Sequence, residues 1–168
     1  MKILSIDPSI KSLGWAEFSV NCSTKKAILI NVGYFQIRKG DWIIKLDQMI
    51  SCINMLMKDI NIVLIELPHI YTVGKKGIVA GNSESIMKLS SFVFAARQRI
   101  LDQNIKVELI PVSKWKGNVP KLITKKRVEK HWNFISNNND IIDAVGIGDY
   151  WIRKENYVRT ISRGSIFK

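Results

Sequence analysis

A mixed α/β sheet with helices on its faces is predicted by three features of the sequence. Short apolar runs of strand length end at turn residues; the first three follow one another with only brief turns between them; the later ones alternate with segments of helical period. Residues 2–7 (KILSID) are a short apolar run of the buried-strand kind, followed by Pro8 and Ser9. Residues 13–20 (LGWAEFSV) and 27–36 (AILINVGYFQ) read as two more strands, so the first three suggest an antiparallel meander. Asp41 is placed to cap a helix whose apolar residues Ile43, Ile44, Leu46, Met49, Ile50, Ile53 and Met57 recur at helical spacing. Residues 62–65 (IVLI) form a fourth strand ending at Glu66, and the glycines of residues 72–83 (TVGKKGIVAGNS) announce a loop. Asn82 or Ser83 caps a long helix carrying Ile86, Leu89, Phe92, Val93, Ala96 and Ile100. Residues 107–110 (VELI) are a fifth strand stopped by Pro111, and residues 124–132 and 140–153 are two further helices. The order βββαβαβα(α) gives three antiparallel strands followed by parallel crossovers.

The chain has 168 residues, which suits one domain with a basic tail from about residue 155. It is 46% hydrophobic and 24% charged, which excludes a disordered, collagen-like or coiled-coil chain. No apolar run approaches the ~20 residues that span a bilayer, and the N-terminus lacks the plan of a signal peptide. With only Cys22 and Cys52, a disulfide scaffold is excluded, and reduced thiols in a cytoplasmic setting without a membrane partner are expected. Charge is the outlier. Twenty-six Lys and Arg against 14 Asp and Glu leave a net +12, which calls for a polyanionic partner, most often nucleic acid.

In so basic a chain the carboxylates inside apolar runs are informative. Asp7 ends the first strand and Glu66 the fourth, so neighbouring strands would set them side by side. Asp140 and Asp143, three residues apart, share one helix face, with Asp140 at a helix N-terminus whose dipole favours the ionised form. Alone, each reads as a surface residue or a cap. Together they would repel one another, by roughly 4 kcal/mol at most for a pair about 4 Å apart at an effective dielectric near 20. Hard divalent cations relieve that repulsion, and an all-oxygen set selects Mg²⁺ or Mn²⁺ over zinc. Joined to a phosphate-seeking surface, the set suggests phosphodiester hydrolysis with two ions about 3.5–4 Å apart, one activating a water and the other stabilising the leaving 3′-oxygen.

Asp7 in ILSIDPSIKSLGWA, Glu66 in IVLIELP, and Asp140 with Asp143 in NNNDIIDAVGIGDYW resemble the four acidic positions of RuvC-type Holliday junction resolvases. The resemblance runs from about Lys2 to Ile152 and takes in ESIMKLSSFVFAAR, which is similar to that family's long helix, and VSKWKGNVPKLITKKRV. It implies an RNase H-like five-stranded mixed sheet, three strands antiparallel and two parallel, and a homodimer paired through the long helix. It also implies Asp7, Glu66, Asp140 and Asp143 as catalytic metal ligands for two Mg²⁺ ions, Mn²⁺ substituting, and paired symmetric nicks in four-way DNA junctions; a partner helicase stays unspecified. Matched by position, Lys116 and Lys121 would contact DNA near the site. The family often carries an aromatic residue after the glutamate that pries the junction open; here His69 falls at that place and Tyr71 follows. Gly146 and Gly148 stand where the family commonly has a more alanine-rich helix, and each costs about 1 kcal/mol of helix propensity. These are the departures of a divergent, phage-type member.

Lys114, Lys116, Lys121, Lys125, Lys126, Arg127 and Lys130 crowd one stretch opposed only by Glu129, and Arg153, Lys154, Arg159, Arg163 and Lys168 mark the C-terminus. Such clusters supply sequence-independent phosphate contacts. Trp115, between two lysines in an expected loop, is the tryptophan best placed to touch DNA; Trp15, Trp42, Trp132 and Trp151 suit the core or an interface. Met87 and Phe94 lie beyond the long helix's core stripe and are candidates for a dimer face. Three rival functions remain open: a broader endonuclease for forks, flaps and three-way junctions; an ATPase fragment of the actin and sugar-kinase type, suggested by Asp7-Pro-Ser9 and Gly14; and a non-catalytic DNA-binding module.

Overall fold

The computed structural model describes residues 1–68 and 83–161. Along the chain run β1 (Lys2–Pro8), β2 (Ser12–Asn21), β3 (Lys26–Gln36), α1 (Trp42–Leu56), β4 (Ile62–Leu67), α2 (Ser83–Leu101), β5 (Lys106–Pro111), α3 (Val112–Trp115), α4 (Lys121–Trp132), α5 (Asn139–Lys154) and β6 (Val158–Arg159). They build one mixed sheet in the order β5-β4-β1-β2-β3-β6. The β1–β2 and β2–β3 pairs are antiparallel, and β4 and β5 add in parallel beside β1. The predicted mixed sheet is present with six strands rather than five. The sixth lies in the basic segment after residue 155, where Val158 N donates to the Lys25 carbonyl and Thr160 N to the Ala27 carbonyl, both at 2.7 Å. Two hydrogen-bonded residues leave too short an apolar pattern to be seen in a sequence.

Side chains of a strand alternate between the two faces of its sheet. Along β1, Leu4 and Ile6 enter the core formed with Met49, Ile53, Phe92 and Ala96 of α1 and α2. Ile3 enters the other core, with Ala144, Val145 and Ile147 of α5. Ser5 shares that second face; its hydroxyl, fully buried, donates to the Ala144 carbonyl at 2.7 Å and ties α5 to the centre of the sheet. In β4, Ile62 and Leu64 lie on the α5 side, and Val63 and Ile65 on the α1/α2 side. Parity therefore sends Asp7 and Glu66 to the same face as Ile3 and Ile62, the face that α5 covers.

Helix α5 starts cleanly because Asn138 Oδ1 accepts from Asp140 N (2.8 Å) and Ile141 N (3.3 Å), satisfying two N–H groups that a helix start leaves free. Asp41 does the same for α1, accepting from Ile44 N at 3.0 Å. The glycines of α5 are required by packing. A Cβ on Gly148 would fall 2.1 Å from the Phe18 ring, and one on Gly146 2.5 Å from the Trp115 ring. The helix gives up propensity there so that two aromatic rings can seat against its backbone. Cys22 and Cys52 are free thiols. Among the described residues no helix is long and apolar enough to cross a membrane.

Candidate active site

The parallel register pairs Ile6 with Ile65, so the next residues, Asp7 and Glu66, are neighbours at the C-terminal ends of β1 and β4. The first turns of α5 lie against this edge and add Asp140 and Asp143. Gly14 of β2, paired with Asp7, makes that approach possible: the nearest atom to a Cβ built there is the Asp140 carbonyl oxygen. All four predicted acids thus meet at one end of the sheet, and their electrostatics show it. Asp7, 8% exposed, binds its proton well above the usual carboxylate range; burial is the main cause, followed by the charges of Glu66, Asp143 and Asp140, with Lys116 pulling the other way. Glu66 is pushed up to about 7, again chiefly by burial, against the indole hydrogen bond from Trp115 and the charges of Lys116 and Lys121.

Three of the acids are held by neighbours. Ser12 Oγ donates to Asp140 Oδ2 in a short hydrogen bond. Trp115 Nε1 donates to Glu66 Oε2 at 2.8 Å. Lys116 Nζ reaches both oxygens of Asp143 at 2.9 Å, the pair being largely shielded at 12% and 14% side-chain exposure. Among the described residues Asp7 receives no side-chain hydrogen bond. With these partners engaged, no three of the described acids, histidines or cysteines surround a common point as a ligand shell does. The acids are near enough to raise the proton affinity of Asp7 and Glu66, yet two of them are turned to α3 and the residue after it. The chemistry of the donor set, four carboxylates and no nitrogen or sulfur, fits a hard divalent cation. Lys116 puts a positive charge against Asp143 within this set.

Two sequence expectations need correction. Trp115 is not in a loop and not offered to DNA: it is 3% exposed in α3, stacked on the Gly146 backbone and bonded to Glu66. Lys116 is not free for phosphate but paired with Asp143 and set 5.0 Å from the centre of the Trp115 ring. The other basic candidates lie at or near the surface, and Lys121 is close enough for its charge to act on Glu66. Lys114, Lys121 and Lys126 are exposed; Lys125 is half-buried near Asn137 and Glu129; Arg127 is half-buried, its Nε without a partner among the described residues. His69, Tyr71, the loop to Gly81, Asn82, Arg163 and Lys168 lie outside the described residues. Trp132 and Trp151 are core residues, as expected, and Trp15 and Trp42 pack against the α1/α2 core.

One acid was missed. Asp149, 1% exposed, accepts from Trp132 Nε1 (3.0 Å), Arg153 Nε (3.1 Å) and Arg159 Nε (2.6 Å), joining α4, α5 and β6. The signal was an acid inside the apolar run AVGIGDYWI with arginine four residues on. It is a structural charge, paired, about two and a half turns along α5 from Asp140 and on the opposite side of the helix.

Comparison of the fold gives a clear result. The Thermus thermophilus RuvC in complex with Holliday junction substrate superposes with a TM-score of 0.70 over 94% of this chain and 98% of its own. The fold is that of the RuvC resolvases. Sequence identity in that pair is 14%, so the RuvC likeness is one of architecture. The yeast mitochondrial Holliday junction resolvase matches at a TM-score of 0.61 and 16% identity over 90% of this chain and 77% of its own. The Fowlpox virus resolvase, solved with substrate Holliday junction DNA, matches at 0.55 and 18% identity over 93% and 99%. No protein-family model matches the sequence, and no curated protein matches it.

Proposed function

We propose that the protein is a divalent-metal-dependent endonuclease that resolves four-way DNA junctions by paired nicks. The observation that carries this reading is the convergence of Asp7, Glu66, Asp140 and Asp143 at the edge of a RuvC fold whose sequence bears a net charge of +12. The likeness to resolvases solved with junction DNA supports it. The four carboxylates would hold two Mg²⁺ ions, which when bound supply activation of a water and stabilisation of the leaving 3′-oxygen. The chain's own residues do the rest. Ser12 and Trp115 fix the orientations of Asp140 and Glu66 through one hydrogen bond each. Lys116 holds Asp143 through both of its oxygens. Lys114, Lys121, Lys125, Lys126 and Arg127 supply the field that draws the DNA backbone to this edge.

Met87 and Phe94, seven residues apart on one side of α2, are 70% and 55% exposed. In this reading that face pairs two copies about a two-fold axis, so two sites meet two strands of one junction. The test is cleavage of labelled synthetic four-way, three-way and linear DNA with Mg²⁺ and with chelator. Symmetric Mg²⁺-dependent nicks on the four-way substrate alone are expected. Equal cleavage of three-way DNA would replace junction resolution by general branch cutting, and no cleavage of either branched DNA would reject the nuclease.

A further inference from the structure

At the end of α5 remote from Asp140 the charge pattern is reversed. Asp149 lies there at 1% exposure against His131 of α4 (3.9 Å), Arg153 of α5 (3.1 Å) and Arg159 of β6 (2.6 Å). Arg127, one turn back along α4, is near enough for its charge to act on His131. Three guanidinium groups against one carboxylate leave positive charge in excess even before the imidazole takes a proton. The side chains of His131, Arg153 and Arg159 are 30%, 43% and 24% exposed, so the group opens to solvent over a buried acid.

Asp149 is already saturated, accepting from Trp132 Nε1, Arg153 Nε and both Nε and Nη2 of Arg159. What is left over is cationic. Arg127 Nε and His131 Nδ1 are buried atoms without a hydrogen-bond partner among the described residues, although buried polar atoms are normally paired. Burial and the charges of Arg159, Arg127 and Arg153 hold the His131 ring below its usual proton affinity, against the pull of Asp149. Helix C-termini draw cations, which accounts for His131 and Arg153 in the last turns of α4 and α5. That effect explains neither Arg127, a turn further in, nor the two unpaired atoms. A phosphate brings negative charge and several acceptor oxygens, the two things this group lacks.

Helix α4 joins this group to the candidate active site. Its first residue, Lys121, acts on Glu66, its last, Trp132, bonds Asp149, and Lys126 and Lys130 between them are exposed. Asp149 is nine residues beyond Asp140, about 14 Å along α5, which is roughly the span of four nucleotides in a duplex strand. We propose that Arg127, His131, Arg153 and Arg159 form a second oxyanion site, apart from the carboxylates, that takes one phosphate of a DNA arm leading away from the cut. The DNA source rests on the nuclease reading, whereas the affinity for a phosphate oxyanion stands without it.

Two measurements on the whole chain in chelator test it. Inorganic phosphate, added while the His131 ring is followed by NMR, should shift its signals saturably and move their titration midpoint up by about one pH unit. Arg127→Gln should weaken that phosphate binding by about 10-fold, and Arg127→Lys, which keeps the charge, by less. The second measurement is binding of a long-armed four-way junction in which single phosphates are replaced in turn by uncharged methylphosphonates. One replacement roughly four to six nucleotides from the crossover should weaken binding by about 5–10-fold, and by less than about 2-fold in Arg127→Gln. Saturable phosphate binding with no such linkage overturns the contact to an arm and assigns the site to a free anion. No saturable shift at His131, with no linkage whose effect depends on Arg127, overturns the site altogether. A sensitive linkage in a protein that cuts no DNA would reject the nuclease and leave the site standing.

Discussion

Asp7→Asn is expected to abolish Mg²⁺-dependent nicking, by about 10³-fold or more, because changes even to residues that merely support metal ligands commonly lower affinity or activity by about 10–100-fold. The same variant should bind junction DNA within a few-fold of the parent, since it leaves untouched the basic residues proposed to attract phosphate, Lys114, Lys121, Lys126 and their neighbours. It should also be no less stable than the parent in chelator at neutral pH. Asp7 is buried beside Glu66, Asp143 and Asp140, which all oppose its ionisation, and a neutral isostere removes that strain. Loss of cleavage together with retained binding and undiminished stability separates a chemical role from a folding defect. An Asp7→Asn protein that cuts normally would refute the assigned site.

Gly14→Ala should be the most damaging small substitution near the site. The added Cβ would lie 2.2 Å from the Asp140 carbonyl oxygen and 2.4 Å from its carbonyl carbon, both backbone atoms that cannot swing aside. The start of α5 would have to retreat by about 1 Å, and overpacking of this sort costs about 1–3 kcal/mol. A chain of this length would lose roughly 3–10 °C in Tm. Displacing Asp140 and Asp143 by that distance should cut nicking by about 10²-fold beyond the loss of folded protein. Gly40→Ala is the control, because the nearest atoms to its Cβ would be those of the Ile44 side chain, at 3.2 Å and beyond, and none of the backbone. If Gly14→Ala melts and cleaves like the parent, the close seating of α5 on β2 is not what positions the acids.

Much of this was legible in the residues. The buried runs of β1 and β4 located both strands, and the positions of Asp7 and Glu66 at the strand ends set two acids side by side once those strands were neighbours. The three-residue spacing of Asp140 and Asp143 joined them to one helix. What escaped was what depends on partners distant in the chain. Nothing in VSKW marks a helix of four residues, so Trp115 between two lysines read as an exposed ring; its burial follows from Gly146, 31 positions later, leaving room for it. Lys116 looked like any lysine of a basic stretch until Asp143 was placed opposite. Gly146 and Gly148 read as flaws in a helix because propensity is local, whereas the rings of Trp115 and Phe18 that require them come from elsewhere. Strand β6 escaped because two residues carry no period.

The central claim is that the carboxylate cluster is strained unless cations occupy it, and the pH dependence of stability tests it most directly. Glu66 binds its proton up to about 7 in the folded chain, against 4.5 for an ordinary glutamate. Between those values the folded state holds more protons than the unfolded state, so this group's contribution is complete below about pH 4.5 and is lost as pH rises to about 7, up to about 3 kcal/mol in all. His131, whose proton affinity is lowered by burial and by Arg159, Arg127 and Arg153 against the pull of Asp149, contributes in the opposite sense. Taking the parent minus Glu66→Gln cancels it. In chelator, that difference in unfolding free energy should fall steadily across this window; in saturating Mg²⁺ it should be flat or rise. A difference that is the same with and without Mg²⁺, or flat in chelator, would contradict the account.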